Sequence, residues 1–261
     1  MFTRGERRPI YLKPRVWPLA PEPEPVFGML EVIFVFLGLL LLFVFCGAFA
    51  IVIAHHVPAF SQLRTADLVN QPRVILSAQL AAYLIVFGVL WRYFAHHFGI
   101  GFLRALSWQW PLRWPGFLGK GVLLALAVQI CAHFLPSPPE LPVDKMLRTA
   151  SDAWLLSVFG VLIAPFVEEV LFRGLLFPAL TRRAGPLFSL VMTSLLFGAV
   201  HSQQLAGART QVAVIVIVGG MLTMIRWRYH SLACSTLVHA GYNATLFLGL
   251  YIHTRGFTHF H

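Results

Sequence analysis

Val167-Glu168-Glu169-Val170-Leu171-Phe172-Arg173-Gly174 places two adjacent carboxylates and a guanidinium inside an apolar run extending from 154 to 180. A charge at the centre of a bilayer costs at least about 2.5–3.5 kcal/mol on insertion scales. Three such residues in one segment need compensation. One reading is a structural ion pair that locks helices together; the other is a reactive centre buried in the membrane. The choice turns on whether the rest of the chain is a membrane protein, and on whether other polar groups share the same depth.

Composition answers the first question. The chain is 58% hydrophobic and 11% charged, where a soluble domain carries about 25% charge. The fold class this implies is all-α, a polytopic bundle of membrane helices. Seven apolar segments lie near 28–54, 74–95, 117–135, 153–180, 186–203, 210–227 and 231–252, each approaching or exceeding the ~20 residues that cross the hydrocarbon. Residues 102–114, with two arginines and three tryptophans, are too short and polar to span and suit an interfacial helix. The bundle therefore occupies 26–261. Residues 1–25 hold Arg4, Arg7, Arg8, Lys13 and Arg15, then Pro18, Pro21, Pro23 and Pro25 interleaved with Glu22 and Glu24. They read as a solvated basic, proline-rich tail. No early apolar core of a cleavable leader precedes the first span, which is expected to remain as an anchor.

The net charge of +10 does not point to nucleic acid, because the basic residues fall in short loops between apolar spans. With the N-terminus in the cytoplasm, thirteen Lys and Arg lie in cytoplasmic segments and six in outer ones, leaving Arg173 in the membrane. The positive-inside rule then expects N-in and C-out. Residues 136–142 form a stiff proline-rich outer loop. Cys46, Cys131 and Cys234 lie in apolar segments without metal-ligand spacing and read as packing residues. The sequence assigns no oligomeric state.

Two further apolar segments carry polar groups, Phe197-Gly198-Ala199-Val200-His201 and His239-Ala240-Gly241-Tyr242-Asn243. Residues four apart share a helix face, which pairs Glu169 with Arg173, Phe197 with His201 and His239 with Asn243. Glu168 points about 100° away from Glu169, so one carboxylate can meet Arg173 while the other faces a different helix. Counting from the turn at 182–185, Glu168 lies roughly 20 Å and His201 roughly 24 Å into the bundle. His239, about 13 Å beyond its own loop, comes out shallower and needs tilt to join them.

A carboxylate beside a histidine can deprotonate water and later protonate a leaving amine. A His–Asn pair can stabilise an oxyanion, and Arg173 can hold its carboxylate charged and oriented. Alternatively, Glu168, His201 and His239 are a His/His/Glu ligand set for zinc with a fourth position open to water; the cofactor is none or Zn, and spacing does not separate the two. There is no HExxH and no GxSxG. Asp67, Asp144 and Asp152 lie in loops or at a span edge, which excludes a membrane-embedded aspartyl dyad.

The three motifs, in this order on separate spans, resemble the CPBP family of intramembrane proteases, which includes the type II CAAX prenyl endopeptidases and the bacterial Abi proteins. EExxxR is matched by Glu168, Glu169 and Arg173, FxxxH by Phe197 and His201, and HxxxN by His239 and Asn243. The resemblance covers about 157–249, within an expected protease core at about 153–252. It implies a multi-pass protein of a bacterial plasma membrane that hydrolyses a peptide bond in a membrane-associated or prenylated substrate. By analogy Glu168 activates water with help from His201, Glu169 and Arg173 organise the site, and His239 and Asn243 form the oxyanion pocket. The resemblance implies either a metalloprotease or a metal-free glutamate mechanism. One departure is Tyr229-His230, where many members carry Thr-Gly before Ser-Leu. The rival readings are a non-catalytic scaffold or immunity protein of the same family and an ion-coupled transporter. No repeated half supports the transporter.

Overall fold

The computed structural model describes residues 27–99, 101–134, 146–147, 149–205 and 208–259. The expected tail at 1–25 and the loop at 136–142 lie outside the described residues. Among those described, all regular structure is helical. Seven main helices follow the chain: α1 Met29–His56, α2 Pro72–Phe98, α3 Trp114–His133, α4 Ala150–Ala184, α5 Pro186–His201, α6 Arg209–Tyr229 and α7 Leu232–His253. Each corresponds to an expected apolar segment, with its ends displaced by at most four residues.

The expected count of seven crossings is not established. Five helices, α1, α2, α3, α4 and α6, are long and apolar enough to cross a membrane. The 16-residue α5 is too short, and α7 is diluted by His239, Tyr242 and Asn243. The chain is an integral membrane protein with a polytopic helical bundle. Residues 102–114 form a short helix, Phe102–Ala105, followed by a turn. Leu106 is buried there while Leu103, Trp110, Leu112 and Trp114 face outward.

Local chemistry sets the helix ends. Pro72, Pro115 and Pro186 stand in first turns, where a missing N–H costs nothing and φ is pre-set. Thr149 caps α4 by accepting from the Asp152 amide at 3.2 Å. Gly185, at φ +76°, turns α4 into α5 with one residue. His230 takes φ +52° between α6 and α7. The turn that glycine would favour therefore forms with a histidine, at a cost of about 1–2 kcal/mol.

α4 is not a regular α-helix. It widens to π geometry over Phe159–Ile163 and Val170–Leu176. Each wide stretch precedes a proline, Pro165 or Pro178, whose ring displaces the carbonyl four residues back and removes its donor. The chain responds with five-residue bonds, Ala164 N–H to the Phe159 carbonyl and Phe177 N–H to the Phe172 carbonyl. The Gly160 carbonyl, which Ala164 would otherwise occupy, is released from the ladder.

α3 and α7 cross in backbone contact. A Cβ on Gly121 would meet the Val238 carbonyl oxygen at 2.1 Å, and one on Gly241 the Leu118 carbonyl oxygen at 2.4 Å. Small residues allow this approach, which replaces hydrophobic driving force in a bilayer. Gly241→Val is expected to destabilise by about 3 kcal/mol or more, because backbone cannot step aside as a side chain can. The check is the thermal midpoint of purified protein in detergent. Gly249→Ala, on the same helix with nothing within 4 Å, is the control and should leave the midpoint unchanged.

Candidate active site

Four helices deliver the site, and their relative depth explains how. Ser231 and Leu232 at the start of α7 are bonded to the 102–114 segment: the Leu232 amide donates to the Ser107 carbonyl at 3.2 Å, and the Ser231 hydroxyl donates to the Gln109 carbonyl. That segment packs beside α4 at Gly174, where an added Cβ would lie 3.1 Å from Leu106 and 3.4 Å from Leu232. α7 thus begins level with Gly174, about 15 Å inside the α4–α5 turn. From that level Glu168 is about 9 Å deep and His239 about 10 Å. The depth gap between them closes because α7 starts deep, and tilt is not required.

The innermost group is a fully buried ion pair. Arg173 Nη1 donates to Glu169 Oε1 at 3.0 Å, and neither side chain is exposed. Arg173 also donates from Nη2 to the Gly219 carbonyl at 2.7 Å and from Nε to the Thr223 hydroxyl at 3.2 Å. The Thr223 hydroxyl in turn donates to the Gly219 carbonyl at 2.8 Å. The guanidinium lies 4.3 Å from the centre of the Phe197 ring, a cation–π contact strengthened by desolvation. Gly219 makes room for that ring, since a Cβ there would meet Phe197 at 3.0 Å.

Around this pair the second carboxylate faces two histidines. Glu168 Oε2 is 3.7 Å from His201 Nε2 and 3.8 Å from His239 Nε2. Glu168 and His201 remain partly exposed, at 22% and 17%, unlike Glu169. Both ring tautomers follow from fixed acceptors. His201 Nδ1 donates to the Phe197 carbonyl at 2.7 Å. His239 Nδ1 donates to Glu169 Oε1 at 3.1 Å, the oxygen that also accepts from Arg173. In their neutral forms both rings turn an Nε2 lone pair toward Glu168.

Such tautomers also suit metal ligation, so the zinc alternative can be tested on spacing. Tetrahedral zinc with bonds of about 2.0–2.1 Å holds its donors about 3.3 Å apart. The donors here are wider at 3.7 and 3.8 Å. No group of three His, Cys, Asp or Glu among the described residues is arranged to hold a metal ion. As placed, these donors stand wider apart than a zinc shell holds them.

Asn243 stands one turn beyond His239, and its Nδ2 donates to the released Gly160 carbonyl at 2.7 Å. The proline-induced widening of α4 thereby becomes an anchor point for α7. Thr223 and Gly219 on α6 lie outside the three motifs and escaped the sequence reading. The one available signal was Gly219-Gly220 in an apolar run, which marks close helix approach. Thr223→Val leaves Arg173 Nε buried without its acceptor and should destabilise by about 1–3 kcal/mol. Thermal unfolding in detergent checks this, with Thr223→Ser expected to retain the wild-type midpoint.

Residues 150–245 match the family described as type II CAAX prenyl endopeptidase Rce1-like. This segment is similar to that family. The Rce1-like segment contains all seven motif residues, and it includes Thr223 and Gly219 as well. Its CPBP assignment agrees with the motif resemblance. The family is one of peptide hydrolases of the CAAX type. No curated protein and no solved structure matches the chain.

Proposed function

We propose that the chain is an intramembrane endopeptidase in which Glu168 activates water against a peptide carbonyl. The observation carrying this reading is the convergence of Glu168 Oε2 with two histidine Nε2 atoms at 3.7 and 3.8 Å. Glu168 Oε2 and the two Nε2 lone pairs near it repel unless hydrogens lie between them. Hydrogen bonds of about 2.8 Å on each side of a water oxygen span such separations. Glu168 takes a proton from that water with His201 beside it, and the oxygen attacks the carbonyl carbon. The C–N bond then breaks as the proton passes to the leaving amine. Glu169 and Arg173 fix His239, which serves the oxyanion as a donor once its Nε2 is protonated, beside the Asn243 amide. The substrate is a membrane-associated peptide, prenylated or membrane-anchored, and the N-terminus lies in the cytoplasm of a bacterium.

The test maps new protein N-termini in host membranes carrying wild type or Glu168→Gln. Ends that appear with wild type alone support proteolysis and name the substrate. Identical maps, with a host phenotype that survives the substitution, would sink the enzyme reading in favour of a non-catalytic scaffold.

A further inference from the structure

We propose that α2 carries a binding site for an anionic phospholipid, with the lipid phosphate on Arg92 and His96 and an acyl chain in a notch at Gly88. The site is distinct from the Glu168 centre and does not depend on its chemistry. A recess of about 400 Å³ is lined by Gly88, Val89, Arg92, Tyr93, His96 and His97. These form two adjacent rows on one helix face, 88–92–96 and 89–93–97, each stepping by four residues. The opposite face of the helix, with Val86, Leu90 and Phe94, is buried in the core.

The recess is apolar at one end and cationic at the other. Val89 is 63% exposed, and nothing lies within 4 Å of where a Gly88 Cβ would be. Further along are the exposed Arg92, His96 and His97. Gly88 to His96 spans about 12 Å, longer than the headgroup layer of roughly 6 Å on one side of a bilayer. The stripe therefore straddles the boundary between hydrocarbon and headgroups. Trp91, 61% exposed beside Arg92, is the residue type that sits at that boundary.

Charge complementarity selects the occupant. Among the described residues the carboxylates of Asp67, Asp152 and Glu169 are paired with Arg64, Arg73 and Arg173, Glu168 faces its histidines, and Glu31 stands in the first turn of α1. None of these ion pairs involves Arg92. A phosphate meets a permanently charged, multi-donor guanidinium, with an imidazole one turn further out as a second donor. A zwitterionic lipid would bring its own cation into the same cluster, so an anionic headgroup is preferred.

Native mass spectrometry of the full chain, released from bilayers of mixed phosphatidylglycerol and phosphatidylcholine, tests the site. Wild type should retain phosphatidylglycerol in preference to phosphatidylcholine. Arg92→Ala should lower that retention about fivefold, the weight of one basic residue near an anionic surface. Gly88→Leu should lower it by filling the notch while leaving every charge in place. Thermal midpoints of both variants in detergent should match wild type. Equal retention by Arg92→Ala and wild type would overturn the proposal, as would equal retention of the two lipids. It also falls if inorganic phosphate displaces the lipid fully, or if Glu22→Gln with Glu24→Gln raises retention as much as Arg92→Ala lowers it. The last result would make the acidic stretch of the chain's own tail the occupant.

Discussion

Glu168→Gln is expected to abolish cleavage while leaving the bundle folded. Positioned general acid–base groups contribute about 10²–10⁴-fold, so turnover should fall by at least about 100-fold. Glutamine keeps the volume and an acceptor oxygen but takes no proton from water. Glu168 is the right target because it is the carboxylate outside the Arg173 ion pair and the one left partly exposed. The measurement is cleavage of the substrate found by N-terminal mapping, with thermal midpoint as the control for folding. His201→Ala should weaken the same step, since His201 Nε2 faces the same oxygen at 3.7 Å. Chelation of the purified protein should leave the rate unchanged, as the wide donor spacing implies. Full activity in Glu168→Gln would transfer the role of base elsewhere and end the proposed mechanism.

Arg173→Met should cost more stability than any other single change in the site. It strands the Glu169 carboxylate, which is fully buried with its Oε1 shared between Arg173 and His239. Breaking one partner of a buried pair costs about 3–5 kcal/mol because the remaining charge is uncompensated. It also empties the contacts to Gly219, Thr223 and the Phe197 ring. Adding Glu169→Gln removes the stranded charge and keeps an acceptor for His239 Nδ1. The double variant should therefore regain more than half of the lost thermal stability, a coupling that a double-mutant cycle measures. An unchanged midpoint in Arg173→Met would show that the pair does not hold α4 to α6.

Much of this arrangement follows from the linear chain. The seven apolar runs became helices because in a bilayer each backbone polar group must be satisfied within its own segment. The four-residue spacing of Glu169 with Arg173, and the 100° offset of Glu168, follow from helix geometry alone. So does the expectation that one carboxylate pairs with Arg173 while the other faces a different helix. Three features depended on packing between distant segments. His239 reaches Glu168 because α7 starts level with Gly174, held by Ser107 and Gln109 across 122 residues of sequence in the Ser231–Gln109 bond. Arg173 is secured by Thr223 and the Gly219 carbonyl, and a backbone carbonyl leaves no signature in residue types. Asn243 binds Gly160 because Pro165 opens α4 nearby, so its partner depends on a distortion in another helix. Periodicity along one helix is a local property of its covalent geometry. Depth, register between helices and the partner of a freed carbonyl are set only when helices far apart in the chain pack together.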